Sequence, residues 1–340
     1  MTQWATHFTL FVGIAGFREV PTVANDVLAI AGGIACAAGA AGACAAGISI
    51  LRRPAPYLSA GHALVGRDAV DPLPDVLRLG LAGLTVLVRP GPHGELFIGP
   101  GAPQPGRTLR RLVLTPLFAR ASSRGGRLTR DQQVPFRLVV EFVGPSRDAE
   151  TLLRAYRMLN RQLSDHAPLV SRCVAGRLTS GAVTVAVAGV VDVRELLAAQ
   201  RSRYAFADGT FDDIGSESAP PDLVPMISEP WSARFGWDGR ESISAEERHL
   251  LHALVRAAHG DGRTVRILSP PVGSRSARRA IWTELGLAGV DVIADADQGG
   301  LARHLRKLPP RRPATGTAPA QRASQDAPAA VQGEREMNDV

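Results

Sequence analysis

The sequence predicts an α/β protein built on a parallel sheet or a (β/α) barrel. Short apolar runs of strand length alternate with longer segments in which apolar side chains recur at three- and four-residue spacing. Alternation of this kind is typical of parallel sheets, where ligand chemistry lies at the carboxyl ends of the strands. The chain has 340 residues, of which 45% are hydrophobic, so it can bury one large core.

The periodicity places each element in order. Apolar runs predict strands at Leu84–Val88, Glu95–Ile98, Phe136–Val143, Ala182–Ala188, Leu223–Ile227, Val265–Leu268 and Val290–Ile293. Amphipathic spacing predicts helices at Thr108–Ala121, Asp148–Leu163, Val193–Arg201, Ala245–His259 and Ser276–Leu285. Ser146 or Asp148 is a suitable N-cap for the second of these helices. Ser244, with Glu247 three residues later, predicts a capping box at the fourth.

An N-terminal extension, residues 1–26, and an Ala/Gly-rich hydrophobic segment, residues 27–51, precede these elements. The segment has 25 residues without a charge and is long enough to cross a bilayer. Its alanine and glycine content makes its insertion free energy marginal. It predicts a single-span membrane anchor or an exported protein with a signal segment, and a soluble Ala-rich helix is the third alternative. If the segment spans a membrane, Arg52 and Arg53 favour a cytoplasmic barrel.

Composition excludes some classes of partner. The net charge of +7 comes almost wholly from scattered arginines, and aromatic residues make up only 5% of the chain. A nucleic-acid interface combines clustered cations with stacking aromatics, so no nucleic-acid partner is expected. Cys36, Cys44 and Cys173 form neither a disulfide framework nor a metal-ligand spacing. Residues 309–340, rich in Pro, Ala, Gln and charge, predict a disordered tail.

Several ordered segments resemble one known group of proteins. They are residues 57–88, 94–101 and 107–120, Leu223–Trp231 with Phe235, Trp237 and Gly239, then Glu246–Arg248, Ala258–His259, Gly262–Arg266, Trp282, Glu284, Ala288–Asp291 and Asp295. Together they resemble the phosphatidylinositol-specific phospholipase C-like and glycerophosphodiester phosphodiesterase superfamily. The similarity is greatest to a bacterial branch with relatives of the fungal altered inheritance of mitochondria protein 6. The resemblance implies a (β/α)8 TIM-type barrel over residues 52–308, preceded by the Ala/Gly-rich hydrophobic helix.

The catalytic motifs of that superfamily are degenerate in this chain. His62 matches the first histidine of the H-A-H-N-D-Y motif, but Leu64 replaces the second. Thr85 and Leu87 stand at the two acidic positions of the second strand, and Gly99–Gly101 replaces the A-H-D motif after the third. Cleavage of a phosphodiester with Mg²⁺ or Ca²⁺ needs several hard oxygen ligands and groups that transfer protons. The sequence therefore predicts an impaired catalytic site.

Two residues remain at the motif positions. His62 is the candidate catalytic or phosphate-binding residue, and its alternative role is that of a structural hydrogen-bonding group. Glu141, on the fourth strand, is the candidate ligand for Mg²⁺ or Ca²⁺ if the protein is active, although Val143 replaces the family's lysine. The alternative for Glu141 is a salt bridge with an arginine of the barrel. The candidate substrate-binding residues, for which packing is the alternative, are Asp208, Glu229, Trp231 and Asp295.

Two functions from different classes follow from these observations. The first is a catalytically impaired barrel that acts as a binding or membrane-tethered accessory module. Its expected partners are a phosphodiester, a phosphorylated small molecule or a lipid head group, together with a membrane reached through residues 27–51. The alternative is an active, metal-dependent phosphoric diester hydrolase of lipid or glycerophosphodiester substrates, with a rebuilt site that draws on Glu141, His62, Asp68, Asp208 or Asp295.

Overall fold

Parallel strands close on themselves around a central lumen in the computed structural model, which describes residues 55–65, 71–143, 148–188, 191–270 and 273–309. The strands of these ranges are β1 (Gly61–Leu64), β2 (Gly83–Pro90), β3 (Leu96–Ile98), β4 (Phe136–Phe142), β5 (Arg172–Val174), β6 (Arg177–Thr179), β7 (Val183–Ala188), β8 (Ser202–Arg203), β9 (Phe206–Gly209), β10 (Met226–Pro230), β11 (Thr264–Leu268) and β12 (Val292–Asp295).

Eight of the described strands form the barrel. Their order is β1, β12, β11, β10, β9, β7, β4 and β2, and β2 pairs with β1 to close the circle. All eight pairings are parallel; in β1, His62 lies opposite Ala294 of β12, and Ala63 lies opposite Leu84 of β2. The predicted α/β class and (β/α)8 barrel are confirmed.

Helices connect the barrel strands and cover their outer side. The described helices are Leu73–Leu79, Thr115–Ser122, Ala149–Ser164, Val191–Ala198, Ala245–Gly260, Arg275–Leu287 and Gln298–Leu305, with a π-helical turn at Arg110–Leu114 and 3₁₀ turns at Pro92–Gly94, Phe211–Asp213 and Trp231–Ala233. Asp148 caps its helix by accepting from the Thr151 N–H at 2.8 Å. None of the described helices has both the length and the apolar character needed to span a membrane.

The predicted capping box at Ser244 forms only in part. Ser244 Oγ accepts from the Glu247 N–H at 3.1 Å, as predicted. Glu247 Oε1 instead accepts from the Gly236 N–H at 2.6 Å and from the Trp237 N–H at 3.2 Å. The carboxylate therefore holds the preceding loop against the helix, and the second half of the predicted box is wrong.

Three strand predictions differ from the structure. Strand β10 begins at Met226, not Leu223, because the Leu223 and Val224 N–H groups both turn back to the Pro220 carbonyl. Strand β12 begins at Val292, because the Val290 N–H still completes the end of the preceding helix. The predicted strand Glu95–Ile98 exists as β3, but it pairs antiparallel with β2 and lies outside the barrel.

The apolar core has two layers. The larger layer lies between the strands and the helices and includes Leu138 and Val140 of β4. A small apolar cluster, Val139, Ala186 and Met226, lies inside the lumen. Alternate residues of each strand face the two layers, so the sequence of a strand determines which side chains enter the lumen. The predicted extension 1–26, the segment 27–51 and most of the predicted tail fall outside the described residues.

Candidate functional site

The middle of the lumen is polar and centres on the guanidinium of Arg266. Val265 and Ile267 pack in the outer core, so Arg266, between them on β11, points into the barrel. Its Nε donates to Ser228 Oγ at 2.8 Å, Nη1 donates to Thr85 Oγ1 at 3.0 Å, and Nη2 donates to Asp208 Oδ2 at 2.8 Å. Four strands are therefore joined through one side chain.

Asp208 and Arg266 form a buried ion pair. Their side chains are 5% and 3% exposed, and the Ser228 hydroxyl donates to the second carboxylate oxygen of Asp208. Burial raises the pKa of the Asp208 carboxyl above its usual value, while Arg266 and the Ser228 hydrogen bond act in the opposite direction. A buried pair with all its hydrogen bonds in place stabilises one arrangement of the lumen, because breaking it leaves an unpaired charge without water.

His62 belongs to the same network and is completely buried. Its Nε2 lies 2.8 Å from Thr85 Oγ1 and 3.4 Å from Arg266 Nη1. A guanidinium can only donate, so Nε2 is assigned as the acceptor and Nδ1 carries the proton. Burial, with the charges of Arg266 and Arg137, holds the pKa of His62 well below its usual range. The imidazole is therefore neutral at physiological pH.

The protonated nitrogen of His62 has no hydrogen-bond partner in the part of the chain that the structure describes. Nδ1 is buried without a donor or acceptor beside it. It faces Gly83 of β2, where the Cβ of any other residue would collide with the imidazole ring. The ring therefore fills the space that a side chain at Gly83 would take.

The mouth of the lumen, at the carboxyl ends of the strands, holds a second set of charges. Glu141 faces inward because Val140 and Phe142 on either side of it pack in the outer core. Its neighbours in register are Leu87 of β2 and Ala188 of β7. Glu141 is partly exposed, and among the described residues it has neither a hydrogen-bond partner nor an ion-pair partner.

Arg89 lies near Glu141 on the neighbouring strand. Val88 and its partner Ile98 face the outer core, so Arg89 and its partner Phe97 share the lumen side of the β2–β3 hairpin. Arg89 Nη1 donates to the Gly101 carbonyl at 2.6 Å, and Nε is buried without a partner. No described carboxylate forms an ion pair with Arg89.

Three of the predicted site residues lie on the other side of the strands or in the surrounding loops. Glu229 is 7% exposed and accepts from Arg234 Nε at 2.9 Å. Trp231 is buried, and its ring stacks on Phe235 with a centroid distance of 4.2 Å. Asp295 accepts from Trp282 Nε1 at 3.0 Å, between β12 and the helix Arg275–Leu287.

The structure therefore separates the predicted residues into three groups. His62 and Asp208 meet at Arg266 in the middle of the lumen, and Glu141 lies at its mouth. Glu229, Trp231 and Asp295 contribute to packing and ion pairs outside the lumen. The central role of Arg266 was not predicted from the sequence, although its position between Val265 and Ile267 in an alternating strand indicated a buried cation.

Asp68 lies outside the described residues, and the donor set of the described residues does not fit the divalent metal that the resemblance implies. In the described part of the chain, no group of three or more His, Cys, Asp or Glu side chains is arranged to hold a metal ion. The second-strand positions carry the hydroxyl of Thr85 and the side chain of Leu87, so Glu141 is the one carboxylate at the motif positions. Mg²⁺ and Ca²⁺ require more oxygen ligands than these residues supply. The guanidinium of Arg266, bonded to Thr85, also brings a fixed positive charge to this place.

Comparisons with known proteins give similarity in fold and little in sequence. No family model matches the chain, and the search of curated proteins likewise gave no match. Among solved structures, a glycerophosphoryl diester phosphodiesterase from Parabacteroides distasonis is similar over 76% of this chain and 89% of its own length, with 11% identity and a TM-score of 0.43. Malate synthase from Haloferax volcanii, in its native form with glyoxylate, is similar over 77% of both chains, with 12% identity and a TM-score of 0.33.

Proposed function

We propose that this protein is a phospholipase C-like barrel that binds an anionic small molecule or lipid head group without metal-dependent hydrolysis. The observation that carries the proposed loss of metal-dependent hydrolysis is the Arg266 network. In the middle of the lumen, Arg266 donates to Asp208, Ser228 and Thr85, and Thr85 also bonds to His62. Thr85 stands at the first acidic position of the motif. A side chain committed in this way is not available to a metal ion or a substrate.

The protonation state of His62 disfavours a role in proton transfer and so favours ligand binding without hydrolysis. A general base or acid works best when its pKa lies near the operating pH. The pKa of His62 is lowered by burial and by two arginines, and its protonated nitrogen faces Gly83. His62 therefore neither reaches a ligand at the mouth nor changes its charge at physiological pH. His62 is therefore expected to act as a structural hydrogen-bonding group that holds Thr85 in place.

The second candidate function is an active phosphoric diester hydrolase with a rebuilt site. The observation that favours it is the carboxylate of Glu141 at the mouth of the barrel, which is partly exposed and has no partner among the described residues. Such a group can ligate a metal ion or act as a base. One carboxylate alone supplies too few ligands, so this function would need further oxygen ligands from the substrate and from water.

Membrane attachment through residues 27–51 is part of the same proposal. The support is the length of the uncharged segment and the pair Arg52 and Arg53 that follows it. A barrel held at a bilayer surface would meet lipid head groups at high local concentration, which would favour a low-affinity binding site. Flotation of the full chain with vesicles, compared with a chain that begins at residue 54, measures this attachment.

Hydrolysis assays distinguish the two functions. The purified full chain is incubated with glycerophosphodiesters and with an aryl phosphodiester, in the presence of Mg²⁺, Ca²⁺ or a chelator. The proposal expects no metal-dependent turnover, and Glu141→Ala is expected to behave as the unchanged protein does. Metal-dependent hydrolysis that disappears in Glu141→Ala would overturn the proposal and establish the second candidate.

A further inference from the structure

Two opposite charges at the mouth of the lumen have no ion-pair partner among the described residues. Arg89 donates to a backbone carbonyl and forms no ion pair with a described residue, and Glu141 has no described partner. Two arginines that follow other barrel strands, by contrast, are paired. Arg194 reaches both oxygens of Asp213 at 2.6 and 2.8 Å, and Arg234 pairs with Glu229 at 2.9 Å.

The sheet places these two unpaired charges close together. Leu87 lies opposite Glu141 and Val88 lies opposite Phe142, so Arg89 is one residue further along β2. Strand spacing and rise put the Cα atoms of Arg89 and Glu141 about 8 Å apart. Both side chains are long enough to meet across this distance, yet Arg89 turns toward Gly101 and the two form no ion pair.

The surface between the charges is small and apolar. Leu87 faces the lumen between them, directly opposite Glu141 in register, and Ala188 flanks Glu141 on the other side. Ala188 also packs on the lumen cluster of Val139, Ala186 and Met226. A short hydrocarbon spacer could therefore lie on Leu87 while its two ends reach the two charged groups.

Arg89 retains unused hydrogen-bonding capacity. Its Nε is buried without a partner, and its one hydrogen bond is to the Gly101 carbonyl. An anion on the other edge of the guanidinium could accept from Nε and Nη2 together, which is the bidentate geometry that guanidinium favours. Glu141 can accept only, so its ligand must be a donor, and an ammonium group satisfies both its charge and its hydrogen bonds.

From this arrangement we infer that the mouth of the barrel binds a small zwitterion, with its anionic group on Arg89 and its ammonium group on Glu141. This inference rests on the proposed function, since it assigns a ligand class to the same mouth. It uses neither His62 nor the Arg266 network, which lie deeper in the lumen. The zwitterion is bound and not cleaved.

The test uses 2-aminoethyl phosphate as the probe, titrated into the full chain in a calorimeter. Inorganic phosphate and ethanolamine, which each carry one of the two charges, are the comparison ligands. The zwitterion is expected to bind at least about tenfold more tightly than either, since both ion pairs form at once. Arg89→Met and Glu141→Gln are each expected to weaken the zwitterion about tenfold or more.

The two variants also make different predictions for the comparison ligands. Glu141→Gln should leave phosphate binding unchanged and remove the preference for the zwitterion, whereas Arg89→Met should weaken both. Arg154→Met and Glu150→Gln, which alter an exposed ion pair on the helix Ala149–Ser164, are the matched controls and should change neither affinity. Arg89→Lys, which keeps the charge without the bidentate fork, should bind with intermediate affinity and serves if Arg89→Met fails to fold.

Two results would overturn the inference. One is equal affinity for 2-aminoethyl phosphate and phosphate in the unchanged protein, and the other is no binding of the zwitterion at millimolar concentration. Neither result bears on the proposed loss of hydrolysis, which the diester assays measure separately. Conversely, metal-dependent hydrolysis would overturn the proposed function even if the zwitterion bound as expected.

Discussion

Replacing Arg266 by methionine is predicted to lower the free energy of unfolding by about 3–5 kcal/mol, because it leaves Asp208 as an unpaired charge in the lumen. Methionine keeps most of the aliphatic volume but has no N–H group. Asp208, Ser228 and Thr85 would each lose a donor that lies 2.8–3.0 Å away in the unchanged protein. The two side chains of the ion pair are 3% and 5% exposed, so water cannot easily replace the lost bonds.

Urea unfolding at neutral pH measures this loss. With a urea m-value of about 2 kcal/mol per molar, the midpoint should fall by about 2 M. The double variant Arg266→Met with Asp208→Leu should recover much of the stability, because removal of both charges of a buried pair is often neutral. The two single effects are therefore expected to be strongly non-additive.

The pH dependence of the Arg266→Met variant gives an independent check. Without Arg266, the pKa of the buried Asp208 carboxyl rises further above its usual value. A carboxyl whose pKa is raised in the folded state costs stability above that pKa, and the cost disappears as the pH falls through it. The stability deficit of Arg266→Met, relative to the unchanged protein at the same pH, should therefore shrink in mildly acidic solution.

Arg248→Met is the matched control for the Arg266 experiment. Arg248 pairs with Glu284 at 2.7 Å, but its side chain is 47% exposed. Exposed ion pairs contribute little to stability, so this variant should unfold close to the unchanged protein. A loss at Arg266→Met no larger than that of Arg248→Met, or additive effects in the double variant, would refute the interpretation of the lumen as an interlocked network.

Three further predictions follow from the same structure. Gly83→Ala should destabilise the protein by about 1–3 kcal/mol in urea unfolding, because the new Cβ would collide with the His62 ring. Gly273→Ala is the control, since a Cβ at this position meets open space and should have little effect. Below the usual imidazole pKa of 6.5, His62 should lower the free energy of unfolding by up to about 1.4 kcal/mol for each pH unit of acidification. The reason is that the unfolded chain takes up a proton that the buried imidazole does not. In His62→Gln, this part of the stability profile should be flatter. Trp282→Phe should cost about 1–3 kcal/mol by removing the indole donor from buried Asp295, and an unchanged unfolding midpoint would contradict that role.

The strand and helix pattern was predictable because the barrel strands bury apolar residues on the helix-facing side. Strand β9 was missed because it has only four residues, including Asp208 and Gly209, two residue types that are depleted in strands. The N-cap at Asp148 was predictable because it depends on neighbours in sequence. Glu247 was misassigned because its backbone partners lie in a loop ten and eleven residues earlier.

The candidate site was harder to predict, because its contacts join distant parts of the chain. Alternation in Thr264–Leu268 indicates that Arg266 faces the lumen, but Asp208 lies 58 residues away and Thr85 lies 181 residues away. The motif comparison identified Thr85 as a lost acidic position without indicating what took its place. Only the closed barrel brings the guanidinium of Arg266 to that hydroxyl.

The depth of each charge in the lumen determines whether it contributes to the stability of the fold or to ligand binding. In the middle of the barrel, Arg266 and Asp208 satisfy each other, so their charges stabilise the fold and offer little to a ligand. At the mouth, Arg89 and Glu141 are partly exposed and form no ion pair with a described residue, so their charges can be satisfied from outside. Substitutions at the two depths should therefore have opposite signatures. Changes at Arg266 should alter unfolding with little specific effect on the ligand, whereas changes at Arg89 should alter affinity with a small effect on unfolding.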